Sequence, residues 1–143
     1  MSRDPWDGKG KLAFTEKFGH AAIVYNTFWV VEAIPSGVSL GQNNWETNHK
    51  KMTAVTVKTT KVAEDAAAAD YAKKQVGKPY NKWFYDMATR AKFYCSQLVW
   101  AAFKDKYRID LNTPEWDYPV LGKAIAPTEL ISTPLTSTIY TKG

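Results

Sequence analysis

The stretch from Lys92 to Phe103, KFYCSQLVWAAF, holds the chain's single cysteine, Cys95, at the point where an apolar helical pattern begins. Leu98, Val99, Ala102 and Phe103 recur at helical spacing, and Val99, Phe103 and Tyr107 fall four apart. A helix is therefore predicted from about Cys95 to Tyr107. A cysteine at a helix N-terminus faces outward-pointing N–H groups that carry partial positive charge. Such groups favour thiolate over thiol, and cysteines so placed have pKa values lowered to roughly 3.5–7.5 from about 8.5. The same N–H groups suit the oxyanion formed when the sulfur attacks a carbonyl. Free cysteine is also among the most often buried residues, so a packing role competes with the nucleophilic one.

Upstream, HAAIVYNTFWVVEAIP (His20 to Pro35) reads as two β-rich runs, 20–25 and 28–34, around a hairpin turn at Asn26-Thr27. His20 opens the first run rather than lying inside a core-like apolar stretch. Beside the thiol, its imidazole would take the sulfur's proton and later return it to a leaving group. A third group is then wanted to orient the ring and support its charge. Glu32 is the sole charge in FWVVEAIP, and a carboxylate inside an apolar strand needs a partner. Counted from the turn, Tyr25 pairs near Phe28 and His20 lies close to the level of Ile34. Contact between His20 and Glu32 is therefore feasible. Two alternatives stay open at this point. His49, in the lysine-rich NNWETNHKK, is a competing base, and Glu32 could face solvent on an edge strand.

The remaining pattern supplies a scaffold. GVSL (37–40) reads as a third strand, and MTAVTVKT (52–59) alternates as a fourth. KVAEDAAAADYAKKQVG (61–77) is an alanine-rich helix with Val62, Ala66, Ala69, Ala72 and Val76 along its inner face. Gly77 closes it and Pro79 bars its continuation. KPYNKWFYDMATRAK (78–92) is an aromatic connection with room for a short helical piece. A short helix near APTELI and a last strand at TSTIY complete the chain. GQNNWETNHKK is a polar loop or short helix, and the opening through Phe18 an arm or loop. The 143 residues form a single domain of the α+β class, with a small antiparallel sheet against helices.

Composition narrows the function. The apolar share of 45% and charged share of 23% are those of a folded globular chain. The charge of +5 permits association with anionic surfaces. The lysines are scattered and no recognition module accompanies them, so no nucleic acid is expected as a partner. One cysteine rules out an internal disulfide and, with two histidines, a cysteine-rich zinc module; neither metal nor cofactor is expected. No apolar run approaches the roughly 20 residues of a membrane span. The opening MSRDPWDGKGKLAF has no apolar centre like that of a signal peptide. The compartment stays open: the cell envelope or exterior of a bacterium if a leader has been removed, the cytoplasm otherwise. A monomer is expected.

Four segments together, FGHAAIVY, VVEAIPSGV, GKPYN and FYCSQLVWAAF, carry a family resemblance. The chain resembles the circularly permuted papain-like amidases related to the NlpC-type cell-wall peptidases, in the YiiX-like and YycO-like branch. The wider permuted branch also includes the lecithin:retinol acyltransferase-like proteins. In it the histidine and the acidic residue precede the cysteine, as they do here. The resemblance implies a papain-like fold, with Cys95 as nucleophile, His20 as base and Glu32 as orienting residue. It places Tyr80 at the mouth of the cleft, as a substrate contact or an aid to the oxyanion, with Tyr94 and Trp83 as further aromatic candidates for substrate contact. The chain departs from the pattern in two places. GKGKLAF stands where relatives carry a Gly-Asp-Ile-type strand, and Glu32 replaces the histidine or amide used elsewhere in the superfamily. The implied activity is cleavage of an amide bond, with bacterial cell-wall peptides as the favoured substrates. A lipid acyl hydrolase or acyltransferase using the same three residues is the alternative, and a binding domain with a purely structural Cys95 is a further one.

Overall fold

A computed structural model describes residues 8–15, 19–45, 50–117 and 121–142. Six strands form one antiparallel sheet. They are β1 (Leu12–Phe14), β2 (Ala21–Val24), β3 (Trp29–Ile34), β4 (Gly37–Gln42), β5 (Met52–Val57) and β6 (Thr136–Lys142), arranged in space as β4-β3-β2-β1-β5-β6. Among the described residues three helices accompany them: α1 (Val62–Lys74), α2 (Cys95–Tyr107) and α3 (Pro127–Ser132), with a 3₁₀ turn at Pro114–Trp116.

The expected opening loop does not extend through Leu12–Phe14. Those residues form the short strand β1, which lies between β2 and β5 and pairs with both. All three side chains are fully buried. A three-residue strand covered on both faces shows no period-two alternation, so nothing in its sequence marks it as a strand. Burial holds it in place, at roughly 1.5–3 kcal/mol for each large apolar side chain such as Leu12 and Phe14.

The sheet carries apolar residues on both faces. One face, with Leu12, Phe14, Ile23, Val31 and Val55, packs beneath the helices. On the other, Ala22, Val24, Val30 and Ala54 pack with Trp45 and Met52. Helix α2 is the central element of the helical layer: every residue from Cys95 to Phe103 is buried. Helix α1 follows the predicted span, but its inner face is rotated. Asp65, Ala68, Ala69 and Ala72 are buried, whereas Val62 is exposed and Val76 lies beyond the helix and is exposed too. The reason is electrostatic. Asp65 is drawn inward by Lys11, whose ammonium lies 3.1 Å away, and by the hydroxyl of Thr60. That pairing outweighs the gain from burying two valines at the helix ends.

After α1 the chain docks on edge strand β4. The Val38 amide donates to Lys78 O at 2.8 Å and the Gly77 amide to Val38 O at 2.9 Å. A side chain on Gly37 (φ +122°) would meet Lys78 O at 2.8 Å, so this close approach needs glycine. From there residues 78–92 run to α2 without a helical turn, held by backbone pairing of Tyr80 with Phe93.

Candidate active site

The β2–β3 hairpin sets two of the side chains. Its turn is one residue longer than the sequence implies. The Asn26 side chain accepts from the amides of Phe28 and Trp29, and Tyr25 and Asn26 both donate to Trp29 O. Tyr25 therefore pairs with Trp29 rather than Phe28. The observed register, Ile23 with Val31 and Val24 with Val30, continues to place His20 level with Ile34, as expected. Glu32 is then the diagonal neighbour of His20, a separation that long side chains cross. The ring and carboxylate meet: His20 Nε2 lies 2.8 Å from Glu32 Oε1. Both side chains are largely covered, and the imidazole lies beside the Trp45 indole with ring centroids 5.8 Å apart. His49, the competing base, falls outside the described residues.

The third side chain comes from α2. Cys95 is the first residue of the helix and is only 9% exposed. Its sulfur is hydrogen-bonded to His20 and receives the backbone amides of Ala21 and Ser96. Glu32 holds Nε2, so Nδ1 is the ring nitrogen left for the sulfur. The helical ladder begins with the Leu98 amide donating to Tyr94 O, which leaves the amides of Cys95, Ser96 and Gln97 ahead of it. No acidic side chain occupies this first turn, so the positive end of the helix is not neutralised there.

The electrostatics follow from these contacts. Burial alone would push the His20 imidazolium toward losing its proton. Hydrogen bonds from Cys95 and Glu32, with their negative charge, overcome that and raise its pKa to about 9. For Cys95, burial alone would favour the neutral thiol. The His20 hydrogen bond and charge, with the two backbone amides, outweigh it and lower the thiol's pKa. The pair thus favours thiolate and imidazolium.

The sulfur opens into a cleft of about 390 Å³. One wall is the loop carrying Tyr80, Phe84 and Tyr85; the other is the segment Ala124 to Pro127. Of the three aromatic candidates, Tyr80 lines this cleft close enough to Cys95 for the thiolate to help raise its phenol pKa, second to burial. Tyr94 also lines it, but its hydroxyl is engaged by the Ile125 amide at 3.1 Å and its ring meets Phe84 edge-on. Trp83 is half exposed and packs against Tyr85 at 5.8 Å, outside the lining.

Sequence reasoning missed the residues that hold these walls. Buried Asn81 donates to Asp86 O and to Gln97 Oε1, while the Gln97 amide donates to Thr89 O at 3.0 Å. Together they tie the aromatic loop to the first turn of α2. Ser96 Oγ donates to Ile125 O at 2.6 Å, which fixes the opposite wall. The polar stripe Ser96-Gln97 directly after Cys95 was the available signal. Two polar residues on a fully buried helical turn need partners.

A cysteine heading a central helix, packed on an antiparallel sheet that supplies an imidazole and a carboxylate, is a papain-like arrangement. Here the histidine strand precedes the cysteine helix in the chain. The sequence profile of the permuted papain-like amidase enzymes, the YaeF/YiiX family, matches residues 10–140, and the chain belongs to that family. It is 29% identical over 148 aligned residues to the uncharacterized protein YycO of Bacillus subtilis. The match takes in 96% of this chain and 57% of YycO, so the chain spans little more than half of that relative. The fold is similar to that of the metalloprotein yiiX from Escherichia coli O157:H7, with a TM-score of 0.76 at 17% identity, over 96% of this chain and 98% of the other. At family level the chain is thus of the papain-like amidase type.

Proposed function

We propose that the protein is a cysteine-dependent amidase in which Cys95 is the nucleophile, His20 the acid and base, and Glu32 the group that orients His20. One observation carries this reading. The only sulfur of a cysteine in the chain faces an open cleft while hydrogen-bonded to an imidazole whose far nitrogen is held by a carboxylate at 2.8 Å. Thiolate attack on a carbonyl carbon forms the C–S bond and places negative charge on the carbonyl oxygen. The amides at the start of α2, helped by the Tyr80 hydroxyl, would receive it. Collapse breaks the C–N bond as the His20 imidazolium protonates the leaving amine, giving a thioester. Neutral His20 then takes a proton from water, the hydroxide adds to the thioester carbonyl, and the thiolate leaves. Acid and imidazolium–thiolate pair are restored.

Peptide amides, with bacterial cell-wall peptides as the favoured class, suit the family and the basic charge. The apolar character of Phe84, Ile125, Ala126 and Pro127 in the walls favours a second reading, an acyl-lipid ester or amide cleaved by the same three residues. Among the described residues no grouping of three or more His, Cys, Asp or Glu side chains is placed to hold a metal ion. That described donor set does not fit a metal of the kind the name of the Escherichia coli protein implies.

Peptide-like and lipid-like electrophiles, read by intact mass, test the reading. One adduct per chain is expected at pH 6, absent in Cys95→Ser and reduced at least about tenfold in His20→Ala, because unpaired thiols are largely protonated at that pH. Equal labelling of His20→Ala and the parent chain would remove the pair from the mechanism. The preferred electrophile separates the peptide reading from the lipid one.

A further inference from the structure

Glu32 reaches across the sheet between two strands. Its Oε1 points to His20 on the β2 side, and its Oε2 lies over Gly41 of β4 on the other. In the β3–β4 register Val30 pairs with Gly41 and Glu32 with Ser39, so Gly41 stands diagonally beside Glu32 on the same face. A methyl group built on Gly41 would overlap Oε2 and come within 2.9 Å of the carboxylate carbon, with Val30 Cγ2 at 3.4 Å closing the other side. The backbone at Gly41 does not demand glycine, for its φ is not among the positive ones. What requires the missing side chain is the carboxylate. We infer that Gly41 is a positioning residue: its bare Cα is the seat that lets the Glu32 carboxylate lie flat and hold His20.

The inference rests on the proposed role of Glu32 for its effect on catalysis, but not for its geometry. Because the obstructed group is the far end of a flexible side chain, a methyl group at 41 is accommodated by moving the carboxylate, not by breaking the sheet. A residue that merely supported the fold would behave the other way round, losing stability while leaving the imidazole undisturbed. Among the described residues, the charged or titratable partners around the ring are Glu32 from β3 and Cys95 from α2, with the Trp45 indole beside it. Displacing Glu32 therefore removes a group that keeps the ring protonated.

The test is Gly41→Ala, followed by imidazole titration in the NMR spectrum, thermal melting and turnover of an activated amide. The chain has two histidines, so a His49→Gln background assigns the signal. Three results are expected. The melting temperature is unchanged or higher, since alanine narrows the unfolded ensemble. The His20 titration moves down from about 9 to the value seen in Glu32→Gln. Turnover falls by about tenfold to a hundredfold, the cost of misplacing a catalytic group by about an ångström, and Glu32→Gln adds nothing to it in the double variant. An unmoved His20 titration would overturn the inference. Should Gly41→Ala fail to fold, Glu32→Ala/Gly41→Ala decides: recovery of the fold supports the seat, and continued unfolding overturns it. If Gly41→Ala and Glu32→Gln shift the titration alike while both keep full turnover, the seat stands and the catalytic role of Glu32 falls.

Discussion

Two covered glutamates in this molecule have opposite surroundings. Glu129, on α3, is fully buried and saturated. Its Oε1 accepts from the Thr113 hydroxyl at 2.6 Å and the Thr113 amide at 3.2 Å, and its Oε2 from the Ala126 amide at 2.7 Å. It ties the loop before the 3₁₀ turn to the start of α3. Glu32 keeps some exposure, and it is hydrogen-bonded to a titratable ring that in turn faces a sulfur in a cleft. Burial of a carboxylate therefore does not identify a reactive site. The difference lies in what the carboxylate holds: backbone and hydroxyl donors that do not titrate, or an imidazole that can.

The contrast is broken most sharply by paired substitutions. Glu129→Gln is expected to cost about 2–4 kcal/mol of stability, because an amide nitrogen now faces donors in a buried setting. Turnover per folded molecule should stay unchanged. Glu32→Gln should cost less stability than Glu129→Gln, since the amide oxygen can still accept from the ring, yet lower turnover about tenfold to a hundredfold. It should do less harm than His20→Ala, which removes the proposed acid and base itself. Chemical denaturation and initial rates on the four chains read both quantities, and an effect on stability alone in both glutamate variants would erase the distinction.

A second measurement sharpens it through pH. The raised His20 and lowered Cys95 values predict a bell-shaped kcat/KM. Activity should fall on the alkaline side through about pH 9, as the imidazolium proposed to protonate the leaving group is lost. On the acid side it falls as the thiolate takes up a proton, at a pH below the ordinary thiol range. In Glu32→Gln the alkaline limb should move to lower pH, whereas in Glu129→Gln it should stay in place. The macroscopic values belong to the sulfur–imidazole pair, so both limbs are read on the same substrate.

The smallest effects are expected along the cleft wall. Tyr80→Phe should reduce kcat by about twofold to tenfold if its hydroxyl assists the oxyanion, with KM unchanged; one auxiliary donor is worth less than the backbone amides. Trp83→Ala, outside the lining, should leave kcat unchanged and alter KM by under about threefold, the range of a surface substitution. A large rise in KM for Trp83→Ala would show that substrate extends beyond the cleft onto the exposed aromatic loop.

Local periodicity made much of the fold legible. Helix α2 occupies the span its apolar spacing predicts, the β2–β3 hairpin keeps a register that sets His20 level with Ile34, and strands β3 to β5 fall in the runs read as strands. Strand β1 was not legible, because three residues buried on both faces carry no period. Nor was the inner face of α1, where the Lys11–Asp65 pair connects segments 54 positions apart and outweighs the apolar pattern. The site was legible as residue types, Cys95 before a helix and His20 before a strand, but its supports were not. Gln97, Asn81 and Ser96 acquire meaning only from the loops they clamp.

By itself the sequence determined which side chains could do chemistry and on which elements they would ride, since helical and strand periods are properties of neighbours along the chain. Only the tertiary structure decided that sulfur, ring and carboxylate meet, that Nε2 belongs to Glu32, and that the glycine on β4 leaves the space the carboxylate fills. Those are contacts between segments brought together by packing, and neither spacing nor composition encodes a distance across a sheet.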